Sequence, residues 1–96
     1  MPAFIIADVT TTDQATMDEY RKHVPATVAK YGGRFLVRGG ACHTVEGGWT
    51  PSRLVVIEFP SLARAREWYD SPEYKDPKDM RLRAGKTNLV MVDGVS

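Results

Sequence analysis

Residues 31–62 read YGGRFLVRGGACHTVEGGWTPSRLVVIEFPSL and hold two apolar strands joined by a glycine-rich connection. Successive side chains of a strand point to opposite faces of its sheet. Here both faces are apolar: Phe35 and Val37 alternate with Leu36, and Val55 and Ile57 alternate with Leu54 and Val56. A sheet built from such strands has to be covered on both sides, because a broad exposed apolar face is a docking or aggregation surface. Two charges stand in this apolar block. Arg38 ends the first strand, and Glu58 sits inside the second. A charge in a buried strand is costly unless it is paired. Each therefore marks either an ion pair or a polar group of a ligand pocket.

The rest of the chain parses around this hairpin. Ala3 to Val9 is an apolar run and reads as a central strand. Thr11 followed by Gln14 matches a capping box that opens a helix. Met17, Tyr20, Val24, Val28 and Tyr31 recur at steps of three and four, which is one helix face. Pro25 lies inside that helix, removes the bond to the carbonyl of Arg21, and predicts a bend. Gly32-Gly33 ends it. Arg34 to Arg38 is the second strand, Gly39 to Ser52 a long connection, and Arg53 to Phe59 the third strand, stopped by Pro60. Ser61 caps a short helix whose inward residues are Leu62, Ala65, Trp68 and Tyr69. Ser71-Pro72 and Asp76-Pro77 each pair a cap with a proline, which predicts one or two short helical turns. Asn88 to Val92 is the last strand.

The order strand, helix, strand, strand, helix, strand is the ferredoxin-like βαββαβ pattern. It predicts a single domain over residues 1–96, with an antiparallel four-stranded sheet and the helices on one face. Helices then cover one side of the sheet, and a second subunit is the simplest cover for the other. The expectation is a homodimer with its sheets face to face, a dimeric α+β barrel.

Composition narrows the partners. The formal net charge is +1, which gives no global attraction to nucleic acid or to an anionic membrane. The longest apolar run is far short of the roughly 20 residues a spanning helix needs. The first residues, MPAFIIADV, begin directly with a strand-like run and show no cationic leader. A single cysteine, Cys42, leaves no internal disulfide framework. These features predict a cytoplasmic protein with no membrane and no nucleic-acid partner.

The segments YGGRFLVRGG, EGGWTPSRLVVIEFPS and WYDSPEYK, in this order, closely resemble a small bacterial family known as domain of unknown function 1330 (DUF1330). The likeness spans nearly the whole chain. It implies membership of the dimeric α+β barrel superfamily and so a homodimer. It implies no reaction, because the family has no established one. Relatives across that superfamily include cofactor-free monooxygenases, haem-degrading enzymes, lactone isomerases and stress-induced proteins, so the fold leaves the function open.

Several residues are candidates for a site, each with a structural alternative. Arg38 and Glu58 lie on the two strands of one hairpin and are candidate cross-strand neighbours. They form either an ion pair at the rim, or a site in which Arg38 binds a carboxylate or enolate and Glu58 orients it or acts as a base. Arg34 shares the alternation parity of Arg38. His23 flanks the buried helix face beside Pro25 and is a candidate acid or base; the alternative is a locally bonded boundary histidine. Trp68, Tyr69 and Tyr74 suit either a small-molecule pocket or the core of a small domain. Trp49, in the connection, suits either a dock on a partner subunit, the favoured reading, or part of a binding lid. Arg64, Arg66, Arg81 and Arg83 read as solvated helix faces. Cys42-His43 lacks the companions a metal site needs, and the glycine pairs match no nucleotide fingerprint, so neither metal nor cofactor is predicted. The catalytic candidates are His23 and Glu58, and the ligand-binding candidates are Arg38, Trp68, Tyr69 and Tyr74. The ligand expected is a small polar or aromatic acid held between sheet and helices. The alternatives are a structural or regulatory dimer without catalysis, and a cofactor-free monooxygenase or isomerase-like enzyme.

Overall fold

The alternation of the first strand sets the architecture. In the computed structural model, which describes residues 1–95, Ala3–Thr11 forms β1. Ala3, Ile5, Ala7 and Val9 are buried on one face, and Phe4, Ile6 and Asp8 are half-buried on the other. On one side β1 pairs with β3 (Leu54–Phe59), and on the other with β4 (Gly85–Asp93). β2 (Arg34–Arg38) pairs with the far side of β3. The sheet is antiparallel throughout, in the order β2-β3-β1-β4. Three helices, α1 (Gln14–Lys30), α2 (Leu62–Tyr69) and α3 (Pro72–Ala84), pack on the Ile5, Val55 and Ile57 face. Met17, Val28, Trp68 and Tyr74 meet that face and complete the core.

This is the ferredoxin-like topology that the element order predicts. The barrel is not. β2 and β4 are free edges that do not pair with each other, so the sheet is open. The reason is general: apolar residues on both faces of a strand ask for two covers, whereas a barrel needs its first and last strands joined by a hydrogen-bonded ladder. The second face does stay apolar. Ile6 lies between Val56 and Val90, and Phe4 lies between Glu58 and Val92. Val90 is 57% exposed and Val92 44%.

Local signals differ from the sequence reading at four places. The cap of α1 is Asp13, whose carboxylate accepts from the Thr16 backbone N–H and hydroxyl. Thr11 is unavailable for that role because it ends β1, opposite Gly85. α3 runs through Pro77 as one helix instead of breaking there. Pro77 forfeits only one bond near the helix start, and the buried stripe Tyr74, Pro77, Arg81 and Ala84 holds the helix to the core. That stripe also places Arg81 inside the molecule, not on a solvated face. Leu62 faces outward at the first turn of α2, while Ala65 and Trp68 face in. β4 begins directly at Gly85, three residues earlier than the apolar run suggests. A side chain there would collide with the carbonyl of Thr10, so glycine permits the close approach of β4 to β1.

Candidate functional site

Arg38 reaches its place through a bulge. β2 and β3 pair in register at Arg34↔Glu58 and Phe35↔Ile57, then resume at Val37↔Val56 and Arg38↔Val55. Leu36 is the extra residue. A bulge of this kind offsets the two-residue alternation. Arg34 therefore lies on the open face with Glu58, whereas Arg38 lies on the helix face with Val55. Its guanidinium stacks on Phe35, 4.6 Å from the ring centroid, and donates to the backbone carbonyl of Arg21 at 3.1 Å. That carbonyl is free because Pro25, four residues on, has no N–H to offer it. The helix irregularity written into the sequence thus becomes the anchor of a strand arginine.

Arg38 stands at the rim of a crevice between the sheet and the helices. Its walls are apolar and include Ile5, Ala7, Val24 and Val55. Its polar lining includes six side chains: Arg21, Arg38, Arg53 and Arg81, with Tyr20 and Tyr74. The cavity measures about 40 Å³, room for about three water molecules. At the outer end Arg53 donates to the carbonyl of Arg38 at 3.4 Å. Gly39, with φ of +75°, turns the chain beneath that guanidinium, where a Cβ would lie 2.6 Å from Arg53 Nε. Nε of Arg21 is buried with no hydrogen-bond partner among the described residues, and its outer nitrogen meets Asp18 only at 3.7 Å. Burial first, then the charges of Arg21 and Arg38, hold the Arg53 guanidinium below its ordinary pKa. Three like charges are gathered here against their electrostatic preference.

The inner end is more deeply buried. Tyr74 is fully enclosed and Arg81 is 4% exposed. Arg81 Nε donates to the Tyr74 hydroxyl at 3.2 Å, and the hydroxyls of Tyr74 and Tyr20 are 2.8 Å apart. Burial, reinforced by the adjacent Tyr74 phenol, pushes the Tyr20 phenol far above its usual pKa, so it stays protonated. Trp68 closes the floor. It stacks on Tyr74 with centroids 4.1 Å apart, and its Nε1 donates to Thr27 at 3.0 Å. Thr27 in turn donates to the Val24 carbonyl at 2.8 Å.

Of the residues the sequence singles out, the fold brings Arg38, Trp68 and Tyr74 together on this crevice. Tyr69 is half-buried outside it, beneath the ammonium of Lys78 at 4.2 Å. Glu58 lies on the opposite face of the sheet and accepts from Arg34 at 2.6 Å, so it has no contact with Arg38. His23 is about half exposed on the outer side of α1, 3.0 Å from Glu19. Trp49 ties the connection to its own chain, donating to Asp8 at 3.0 Å. Asp8 also accepts from the backbone N–H groups of Ser52 and Arg53, and these bonds, with that of Trp49 the strongest, hold its carboxyl below the usual range. Cys42 is exposed, and no group of three His, Cys, Asp or Glu among the described residues is placed to hold a metal ion. Sequence reasoning missed Tyr20, Arg21, Arg53 and Arg81 as site residues. Arg81 had a usable signal, because Tyr74, Pro77, Arg81 and Ala84 recur at helical spacing. Arg21 and Arg53 had none.

The chain matches the family described as domain of unknown function (DUF1330) over residues 2–95, and it belongs to that family. No curated protein matches it. Among solved structures it is similar to a protein of unknown function from Rhodopseudomonas palustris, with a TM-score of 0.79 at 16% identity, covering 99% of this chain and 83% of that one. It is also similar to a dimeric ferredoxin-like protein of unknown function from Jannaschia sp. CCS1, with a TM-score of 0.71 at 10% identity, covering 98% and 100%. An antibiotic biosynthesis monooxygenase is more distant, with a TM-score of 0.55 at 13% identity and full coverage of both chains. At these identities the likeness is one of fold. Within the described residues no helix is long and apolar enough to cross a membrane.

Proposed function

We propose that this DUF1330 protein binds a small organic acid in the crevice between sheet and helices, with Arg38, Arg21 and Arg53 taking its carboxylate. One observation carries the reading: among the described residues the polar lining is four guanidiniums, two phenols and the Trp68 indole, with no carboxylate, imidazole or side-chain amide. Guanidiniums only donate, and their fork matches a carboxylate. An anion is what such a lining lacks. The buried, unpartnered Nε of Arg21 supports the same conclusion, because an unmade buried hydrogen bond is expensive. The reading is of binding and not of proton transfer, since neither His23 nor Glu58 lines the crevice and no other base does.

The acid-binding unit is a homodimer in this reading. The open sheet face carries Phe4, Ile6, Val56, Val90 and Val92, an apolar surface of the kind a second subunit covers. The dimeric relative of the same fold supports this assembly. The crevice lies on the opposite side of the sheet and stays open in such a dimer.

Thermal unfolding in the presence of butanoate, with butanamide as the neutral control, tests the binding. A ligand that binds only the folded state raises stability with its concentration. Butanoate should raise the melting temperature, butanamide should not, and Arg38→Met should abolish the difference. Equal shifts from acid and amide, or an unchanged acid effect in Arg38→Met, would refute it.

A further inference from the structure

We infer that the ligand of this crevice is a short-chain dicarboxylate, whose second acid group is taken by Arg81 with the Tyr20–Tyr74 pair. This rests on the acid-binding reading and extends it to the inner end of the same cavity.

The first argument is a count of protons. Tyr20 and Tyr74 have one hydroxyl proton each, and they share one contact of 2.8 Å. One proton is used in that contact. Tyr74 oxygen already accepts from Arg81 Nε, so the network runs from the cation through one phenol to the other. Whichever phenol donates between them, the second proton has no acceptor among the described residues. Tyr20 cannot relieve this by ionising, since burial keeps it protonated. The pair therefore presents one O–H donor, polarised by a guanidinium, to whatever occupies the crevice.

The second argument is a count of charges. Among the described residues Arg81 donates from Nε to Tyr74 and acts on the neighbouring Tyr20 phenol, and no carboxylate lies within 4.0 Å of it. Its guanidinium lines the crevice. A buried cation without a counter-ion is retained against stability. Arg38 and Arg53 likewise have no carboxylate within that distance, and Arg21 has only the loose contact with Asp18. A monoacid answers one of these charges and, with two oxygens, cannot serve donors at both ends of the cavity. A molecule with a carboxylate at each end answers the rim and the interior together, and its methylene chain lies against Ile5, Ala7 and Val55.

The third argument is size. A cavity of about three waters has a liquid-equivalent volume of roughly 90 Å³, which suits about six to eight non-hydrogen atoms. Malonate and succinate are of this order, whereas glutarate or an aromatic diacid requires the walls to move.

Isothermal titration of the wild-type protein at fixed ionic strength compares malonate with propanoate and succinate with butanoate. A diacid should bind at least about tenfold more tightly than its matched monoacid, as one added charge-assisted interaction warrants. Arg81→Met should erase that advantage, while Arg38→Met should weaken both classes. Arg81→Lys, which keeps the charge and loses the fork, should restore part of the advantage. Equal affinities for mono- and diacids in the wild type overturn the inference without any variant, so a failure of Arg81→Met to fold does not protect it. An advantage that survives Arg81→Met in folded protein also overturns it. Monoacid binding that depends on Arg38, with no gain for the diacid, removes this inference alone. Absence of binding by either class removes the acid-binding reading as well.

Discussion

Replacing Pro25 by alanine tests the link between helix irregularity and the crevice. Pro25 sits inside the seventeen-residue α1 and leaves the Arg21 carbonyl without its intrahelical partner. Proline in a helix interior costs about 3 kcal/mol relative to alanine. Part of that gain is offset. The unfolded chain regains freedom worth about 0.4–1 kcal/mol when proline is removed. The half-buried ring also loses about two methylenes of contact, roughly 1 kcal/mol at partial burial. The net expectation is a stabilisation of about 1 kcal/mol, or about 4–8 °C in melting temperature for a domain of this size. Urea unfolding at two or more wavelengths measures it under two-state conditions. The Arg21 carbonyl has two lone pairs, so it accepts the new backbone N–H and still receives Arg38. Butanoate binding should therefore be unchanged. A variant less stable than the wild type would refute the reasoning, because it would mean that α1 is shaped around the proline and that Arg38 satisfies the carbonyl better than the helix does. Lost acid binding in a stabilised variant would refute the second half, by showing that the two donors compete.

Two further perturbations follow from the sheet and from the connection. Ile57→Asp places a charge in the core opposite Ile5 and should unfold the protein, since a buried unpaired charge costs several kcal/mol; Val56→Asp should leave the monomer folded and abolish dimers in light scattering, and folded dimers in both variants would sink the assignment of faces. Acidification should loosen the connection between β2 and β3 before the core. The Asp8 carboxyl is depressed, so its contribution is full above the unfolded value near 4 and is lost as pH falls through the lower folded value. Trp49 fluorescence should change in that window and be insensitive to it in Asp8→Asn, and a pH-independent signal in the wild type would count against the tie.

The order of elements and the division of β3 into two faces were legible in the sequence because they rest on local periodicity. Val55 and Ile57 on one side, with Val56 and Glu58 on the other, follow from a strict two-residue alternation, whereas which side meets the helices did not. The partner of Glu58 was not legible. Counting along β2 puts Arg34 and Arg38 on one side, and nothing in RFLVR announces the bulge that separates them. The freed carbonyl of Arg21 was readable from Pro25, but its use by a strand arginine depends on how α1 crosses the sheet. Arg81 was misread for a different reason. Its spacing marked it as buried, and its charge argued for solvent; burial won because the residue lies on the only stripe that α3 presents to the core. The expected barrel failed because two-sided apolarity specifies cover, whereas closure depends on the edge strands.

The bulge at Leu36 has a consequence for how related sequences are compared. Arg34 and Arg38 are separated by three residues yet lie on opposite faces of the sheet. A chain one residue shorter in this strand, with Leu36 deleted, would pair continuously and keep both arginines where they are. A chain with the same length but no bulge would turn the second arginine away from the crevice and set it opposite Leu54, on the same face as Glu58. Gap placement in this strand therefore decides which arginine faces the crevice. Two aligned arginines in the column of Arg38 need not be equivalent, and two arginines one column apart can be.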